Sequence, residues 1–317
     1  MALGFAGKTL FMLNKRFGFI GIGNLGVHLA GSLVRAGFAV TVHDLNKDAA
    51  AGLLAAGARW ADSPQAVAAV SDSVFTCLHS PKAVATVVSG ERGILAGLQP
   101  GGTWIDMSTN DRHEILRLAE LAQRHGVACL ESPVTGGVHK AAAGAITVLV
   151  GGDEAVYQAH LPALQVMGDK VFYMGPLGSA SVIKVITNML AFIHLVAAGE
   201  ALMLAKRGGL DLAQSFEAIK ASSGNSFVHE TESQVILNGS YNIGFTMDLA
   251  CKDLNFAMQL GRDFGVPLEI AGLVEQTFIR ARSQYGGGAW SSQVVKLLED
   301  ALGTDLRASG FPEVISG

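Results

Sequence analysis

Two stretches of the chain bring chemistry-bearing residues into register. Gly21-Ile22-Gly23-Asn24-Leu25-Gly26 follows the apolar run Phe17–Ile20 and leads into an apolar stripe at Leu25, Leu29 and Leu33. Glycines at these spacings allow a tight turn and let the backbone approach a pyrophosphate, which rests on the N-terminus of the following helix. Asp44 stands 18 residues beyond Gly26 and closes a second apolar run. An acidic residue there accepts hydrogen bonds from the adenosine ribose. No arginine lies between Asp44 and Arg59, so a 2′-phosphate would meet a carboxylate and no guanidinium. The expected cofactor is NAD, with NADP disfavoured.

The second stretch is Gly178-Ser179-Ala180-Ser181-Val182-Ile183-Lys184, with Asn188 four residues further on. On a helix these two polar groups share one face. A lysine brought down from its usual ~10.4 by partial burial can take up and return a proton near neutral pH. A lone lysine on such a helix is otherwise a surface group with its stem along apolar surface; the pairing with Asn188 favours a site. Two further motifs follow apolar runs, Asp106-Met107-Ser108-Thr109 and Glu131-Ser132-Pro133-Val134-Thr135-Gly136-Gly137. Thr135, Gly136 and Gly137 offer a hydroxyl and two unhindered amides, a cradle for a carboxylate. The same residues are also ordinary turn formers.

The elements that must carry these groups alternate. Short apolar runs at Phe17–Ile20, Ala39–His43, Ser73–Leu78, Thr103–Asp106, Val127–Leu130, Ile146–Val150 and Val171–Tyr173 read as strands, with helical patterns such as Asp111–His125 between them. That alternation predicts an α/β fold, a doubly wound parallel sheet with ligands outside the carboxyl ends of its strands. From Ser179 the pattern becomes helical: one segment to Arg207, then Leu212–Ala221, Met247–Phe264, Leu268–Gln284 and Ser291–Leu302. The expected organisation is residues 1–178 as the cofactor-binding domain, with 1–16 a peripheral extension, and 179–317 as an all-helical domain. The long helix joins them.

Composition excludes several classes. Half of the 317 residues are hydrophobic, ample for a packed core, which argues against disorder. With 23 basic and 27 acidic residues the net charge is −4, unlike a binder of nucleic-acid backbones. Cys77, Cys129 and Cys251 are far apart and form no metal-ligand spacing, so no metal site is expected and the thiols fit a reducing, cytoplasmic setting. The mean hydropathy of +0.36 raises the question of a membrane span. The uncharged run Val185–Gly199, between Lys184 and Glu200, falls short of the ~20 residues a span needs.

Taken in order, GFIGIGNLG, DMSTN, SPVTGG, the Gly178–Asn188 stretch and Lys252-Asp253 resemble the β-hydroxyacid dehydrogenases over Arg16–Leu302. The family includes 3-hydroxyisobutyrate dehydrogenase and tartronate semialdehyde reductase. The resemblance implies a Rossmann domain, a helical domain, a cleft between them, and a homodimer or homotetramer. It makes Lys184 the catalytic lysine and Asn188 a substrate asparagine, with Thr135, Gly136 and Gly137 on the substrate carboxylate. Ser108 and the pocket-lining Phe245 join the substrate group. Thr109, Lys252, Leu78 and His79 join Gly21, Ile22, Gly23, Asn24, Leu25, Gly26 and Asp44 around the cofactor. Thr135 stands in place of a usual serine, Ala180 in place of a glycine, and His79 in a turn where proline is usual. The implied reaction is hydride transfer between a small β-hydroxy acid and a nicotinamide. A three- or four-carbon acid without phosphate is expected. Tartronate semialdehyde reduction, oxidative decarboxylation of a sugar acid, and cofactor binding without catalysis are the alternatives.

Overall fold

The structure, a computed structural model, describes residues 15–315. Most of the expected N-terminal extension lies outside the described residues, and its last member, Arg16, already belongs to the first strand. The chain divides into two compact units, Met1–Lys184 and Val185–Gly317. The division falls inside the long helix.

In the first unit, nine strands form one sheet: β1 (Arg16–Ile20), β2 (Ala39–His43), β3 (Arg59–Trp60), β4 (Ser73–Thr76), β5 (Thr103–Asp106), β6 (Ala128–Glu131), β7 (Val134–Thr135), β8 (Ile146–Gly152) and β9 (Gly168–Gly175). The order β3-β2-β1-β4-β5-β6 is parallel throughout, the doubly wound arrangement expected from the alternation. The far edge departs from the all-parallel expectation. There β8 runs antiparallel to both β6 and β7, while β9 is parallel to β8. The link from β7 to β8 holds only a short helix, less than the crossover of about a dozen residues that a parallel neighbour requires.

Helices α1 (Gly26–Arg35), α2 (Ala51–Ala55), α3 (Pro64–Ala69), α4 (Pro81–Ser89), α5 (Arg112–Arg124), α6 (Gly137–Ala142) and α7 (Glu154–Met167) follow strands of this sheet. Strands buried on both faces need apolar residues at successive positions. Phe17, Phe19, Phe75 and Ile105 pack with Leu29 and Leu33 of α1. Ile20, Val74 and Trp104 turn the opposite way and pack with Ile115 and Leu118 of α5. Asp111 caps α5 by accepting from His113 and Glu114 amides at 2.9 and 3.0 Å.

The helix α8 (Ser179–Arg207) has the bounds expected from the sequence. By length and composition it could cross a membrane. Some of its later apolar residues, among them Phe192, Leu195, Leu202 and Met203, enter the core of the second unit, while Ile186, Leu190 and Leu204 are exposed. That unit continues with α9 (Leu212–Lys220), α10 (Phe227–Asn238), α11 (Met247–Phe264), α12 (Glu269–Tyr285), a 3₁₀ turn at Ser291–Val295 and α13 (Lys296–Leu302). Among its described residues there is no strand, only an isolated bridge between Thr246 and Trp290. The expected helix Ser291–Leu302 is thus two pieces, and α10 was not anticipated.

Candidate active site

The strand order reverses direction between β1 and β4, the switch point where a doubly wound sheet opens a crevice at its carboxyl ends. The glycine loop leaves β1 at that point. Gly21 has φ of +91°, and a Cβ on Gly26 would meet the Gly21 carbonyl at 1.9 Å. Both positions therefore exclude a side chain. Around Gly23 a Cβ would meet nothing within 4 Å, and no side chain caps α1. The uncapped first turn beside open space suits a pyrophosphate. Asp44 sits at the end of β2, with Oδ2 accepting from the Ile22 amide at 2.8 Å and Oδ1 from the Asn46 amide at 2.9 Å. Its carboxylate is thereby tied to the glycine loop, and these residues fit a dinucleotide. Leu45, next to it, is fully exposed.

The turn after β4 closes the other side of the crevice. A Cβ on Gly21 would lie 2.8 Å from Leu78 Cδ2, so the Leu78 side chain packs against the first glycine. Ser108 is buried after β5, and its Oγ accepts from the Leu78 amide at 2.9 Å. Thr109 is half-buried and His79 exposed. Beneath them lies a fully buried carboxylate, Asp106. It accepts from Thr76 Oγ1 at 2.8 Å, Asn110 Nδ2 at 2.9 Å and the Ser108 amide at 3.2 Å. Burial raises its carboxyl above the ordinary range, and these donors pull it back.

Thr135 ends β7, and Gly136 and Gly137 open α6 with φ of +125° and +86°. These angles explain the two glycines. The His139 ring lies 3.1 Å from where a Gly137 Cβ would be. Burial, and secondarily the Lys140 charge, hold His139 below its ordinary value.

Lys184 is buried on α8, one turn from Asn188. Glu131, at the end of β6, was not singled out by the sequence. Its carboxylate accepts from the Ala180 amide at 2.8 Å, the Ser181 amide at 3.1 Å and the Ser181 hydroxyl. It therefore caps the helix that carries Lys184. Burial raises the Glu131 carboxyl, opposed by these same bonds. In the second unit, Asn188 Nδ2 donates to Asp253 Oδ2 at 2.6 Å, and Lys252 Nζ lies 2.7 Å from Asp253 Oδ1. The Lys252 ammonium also stands 4.9 Å above the Phe256 ring. Phe245 lies at the edge of the second core, its ring 6.1 Å from that of Phe192. Among the described residues no cluster of three or more His, Cys, Asp or Glu could hold a metal ion.

Residues 16–175 match the NAD-binding domain of 6-phosphogluconate dehydrogenase. Residues 178–298 match the NAD-binding region of NADP-dependent 3-hydroxyisobutyrate dehydrogenase. The chain is 34% identical to 2-(hydroxymethyl)glutarate dehydrogenase of Eubacterium barkeri, over 92% of this chain and 97% of that one. It resembles the crystal structure of 3-hydroxyisobutyrate dehydrogenase from Salmonella typhimurium with a TM-score of 0.84 and 30% identity, covering 90% of this chain and 100% of that one. A Mycobacterium tuberculosis 3-hydroxyisobutyrate dehydrogenase structure with L-serine has a TM-score of 0.79 at 29% identity, covering 90% and 99% of the two chains.

Proposed function

The chain belongs to the β-hydroxyacid dehydrogenase family, NAD(P)-dependent oxidoreductases acting on CH–OH groups, and we propose that it oxidises a small β-hydroxy acid with NAD. The observation that carries this reading is Lys184, buried on α8 and one turn from Asn188. The substrates or ligands in the names of the three relatives support the substrate class. 3-Hydroxyisobutyrate, L-serine and 2-(hydroxymethyl)glutarate each carry a hydroxymethyl group on the carbon next to a carboxylate.

In this reading Thr135, Gly136 and Gly137 hold the carboxylate, and Phe245 adds apolar surface. Asn188 orients the hydroxyl, and Lys184 in its neutral form accepts the hydroxyl proton at Nζ. When bound, the nicotinamide supplies the hydride acceptor. In the reverse direction Lys184 returns the proton. The exposed apolar side chains Ile186, Leu190 and Leu204 on α8 support a homodimer or homotetramer, and the three free thiols support a cytoplasmic setting.

The test is NADH absorbance with 3-hydroxyisobutyrate, glycerate, serine and threonate, in wild type and Lys184→Ala. The variant should lose roughly 10²–10⁴-fold in kcat and still bind NADH. A variant keeping more than about a tenth of wild-type kcat would remove Lys184 from the acid/base role.

A further inference from the structure

Ser108, expected from the sequence to meet the substrate, has a hydroxyl oxygen that serves the backbone of a neighbouring turn. It receives the Leu78 N–H at 2.9 Å, while the Ser108 backbone amide donates to the buried Asp106 carboxylate at 3.2 Å. Asp106 is anchored in turn by Thr76 Oγ1, which also accepts from Trp104 Nε1 at 2.9 Å, and by Asn110. Both of these Ser108 bonds hold backbone, one at Leu78 and one at its own amide.

The turn it holds has a definite place. Cys77 N donates to Ile20 O at 2.9 Å, continuing the strand ladder with β1. One residue later the ladder ends, and the Leu78 amide is met by Ser108 instead. The next anchor is Ser80, whose Oγ accepts from the Ala83 amide to cap α4. Ser108 thus sets the backbone at the point where Leu78 packs on Gly21. In a doubly wound fold the pyrophosphate lies on the helix after β1, and the turn beyond the switch point faces the nicotinamide half.

We infer that Ser108, held by Asp106, is a positioning residue that locks the Leu78 turn against the nicotinamide end of the cofactor. The inference rests on the cofactor reading above and gives Ser108 a role at the cofactor through its bond to the Leu78 amide. It predicts a loss confined to one half of the dinucleotide, because the glycine loop and Asp44 make no bond to Ser108.

The experiment is calorimetric titration of the intact protein with NADH and, separately, with ADP-ribose, which lacks the nicotinamide. Ser108→Ala should weaken NADH binding about tenfold, as expected for stranding a partly buried amide, and leave ADP-ribose within about twofold of wild type. Ser108→Thr keeps the hydroxyl and should retain NADH affinity. Equal loss of both compounds in Ser108→Ala would mean a general structural role and overturn the inference. Unchanged NADH affinity with weakened use of the acid substrate would restore the substrate assignment and overturn it as well. A wild-type protein that binds neither compound would overturn the cofactor reading, and this inference with it.

Discussion

The side-chain amide of Asn188 donates to Asp253 at 2.6 Å, across 65 residues of sequence. The other Asp253 oxygen faces Lys252 Nζ at 2.7 Å, and Asp253 is wholly buried. The pair thus fixes Asn188's rotamer and leaves its oxygen to face elsewhere. Replacing Asp253 by Asn removes the charge from the Asn188 hydrogen bond and from the Lys252 ion pair while keeping the volume. Charge-assisted bonds of this kind are worth about 1.5–3 kcal/mol, so kcat/KM for the acid should fall roughly ten- to a hundredfold in Asp253→Asn. Wild-type kinetics in that variant would show that Asn188 does not depend on Asp253.

NAD should be preferred over NADP by at least about tenfold in kcat/KM. Both Asp44 oxygens accept backbone amides, so the carboxylate cannot swing away from a 2′-phosphate without breaking them. The nearest lysine in sequence, Lys47, stands 5.4 Å over the Trp60 ring. Asp44→Asn should narrow the ratio. Equal or better use of NADP by the wild type would refute the role given to Asp44.

Much of this arrangement was legible because its signals are local. Ser179 to Arg207 reads as a helix from its apolar run and the Gly208-Gly209 stop, and the structure has the same bounds. Asp111 and Gly126 bracket α5 in the same way. What escaped has physical reasons. β3 is two residues, Arg59 and Trp60, too short to show alternation. α10 buries polar residues, and its His229 bonds Ser233 and the Phe216 carbonyl, so its apolar stripe is broken. Its Ser226 N-cap and Gly239 stop were the available signal. The Glu131 cap on α8 spans 49 and 50 residues, a contact that no local pattern encodes.

Stability should fall as pH drops from about 6.5 toward 4, through His160. Burial pushes His160 down to about 4, with the Lys15 charge assisting. Its Nδ1 is bonded to the Val156 carbonyl and its Nε2 to the Ser73 hydroxyl, a pairing made by the neutral ring. The unfolded chain takes up the proton near 6.5 while the folded one resists it, so the unfolded state binds more protons inside this window. The contribution is fully present above about 6.5 and amounts to ~3 kcal/mol once lost. Urea melts at pH 7.5 and pH 5 should show a larger drop for wild type than for His160→Gln. Equal drops would place the acid sensitivity elsewhere.

The final prediction concerns the substrate's carboxylate. Thr135 ends a strand paired with Thr147 of β8, and the positive φ angles of Gly136 and Gly137 turn the chain directly afterwards. A hydroxyl and two amides placed in this way suit one anionic group, which gains charge-assisted hydrogen bonds. The methyl of Thr135, absent from serine, narrows the space beside it. Esterifying the acid removes the charge and adds a methyl where the room is least. Losing a charged hydrogen-bond partner costs on the order of 1.5–3 kcal/mol, so the methyl ester of the best acid should lose at least about tenfold in kcat/KM. Plain alcohols of the same size should be poorer still. The comparison is made at a pH where the acid is fully ionised, so that only the carboxylate differs. Thr135→Ala should reduce the distinction between acid and ester without abolishing turnover, because the two glycine amides remain. An ester turned over as well as its acid would leave Thr135-Gly136-Gly137 as a turn that opens α6 and nothing more.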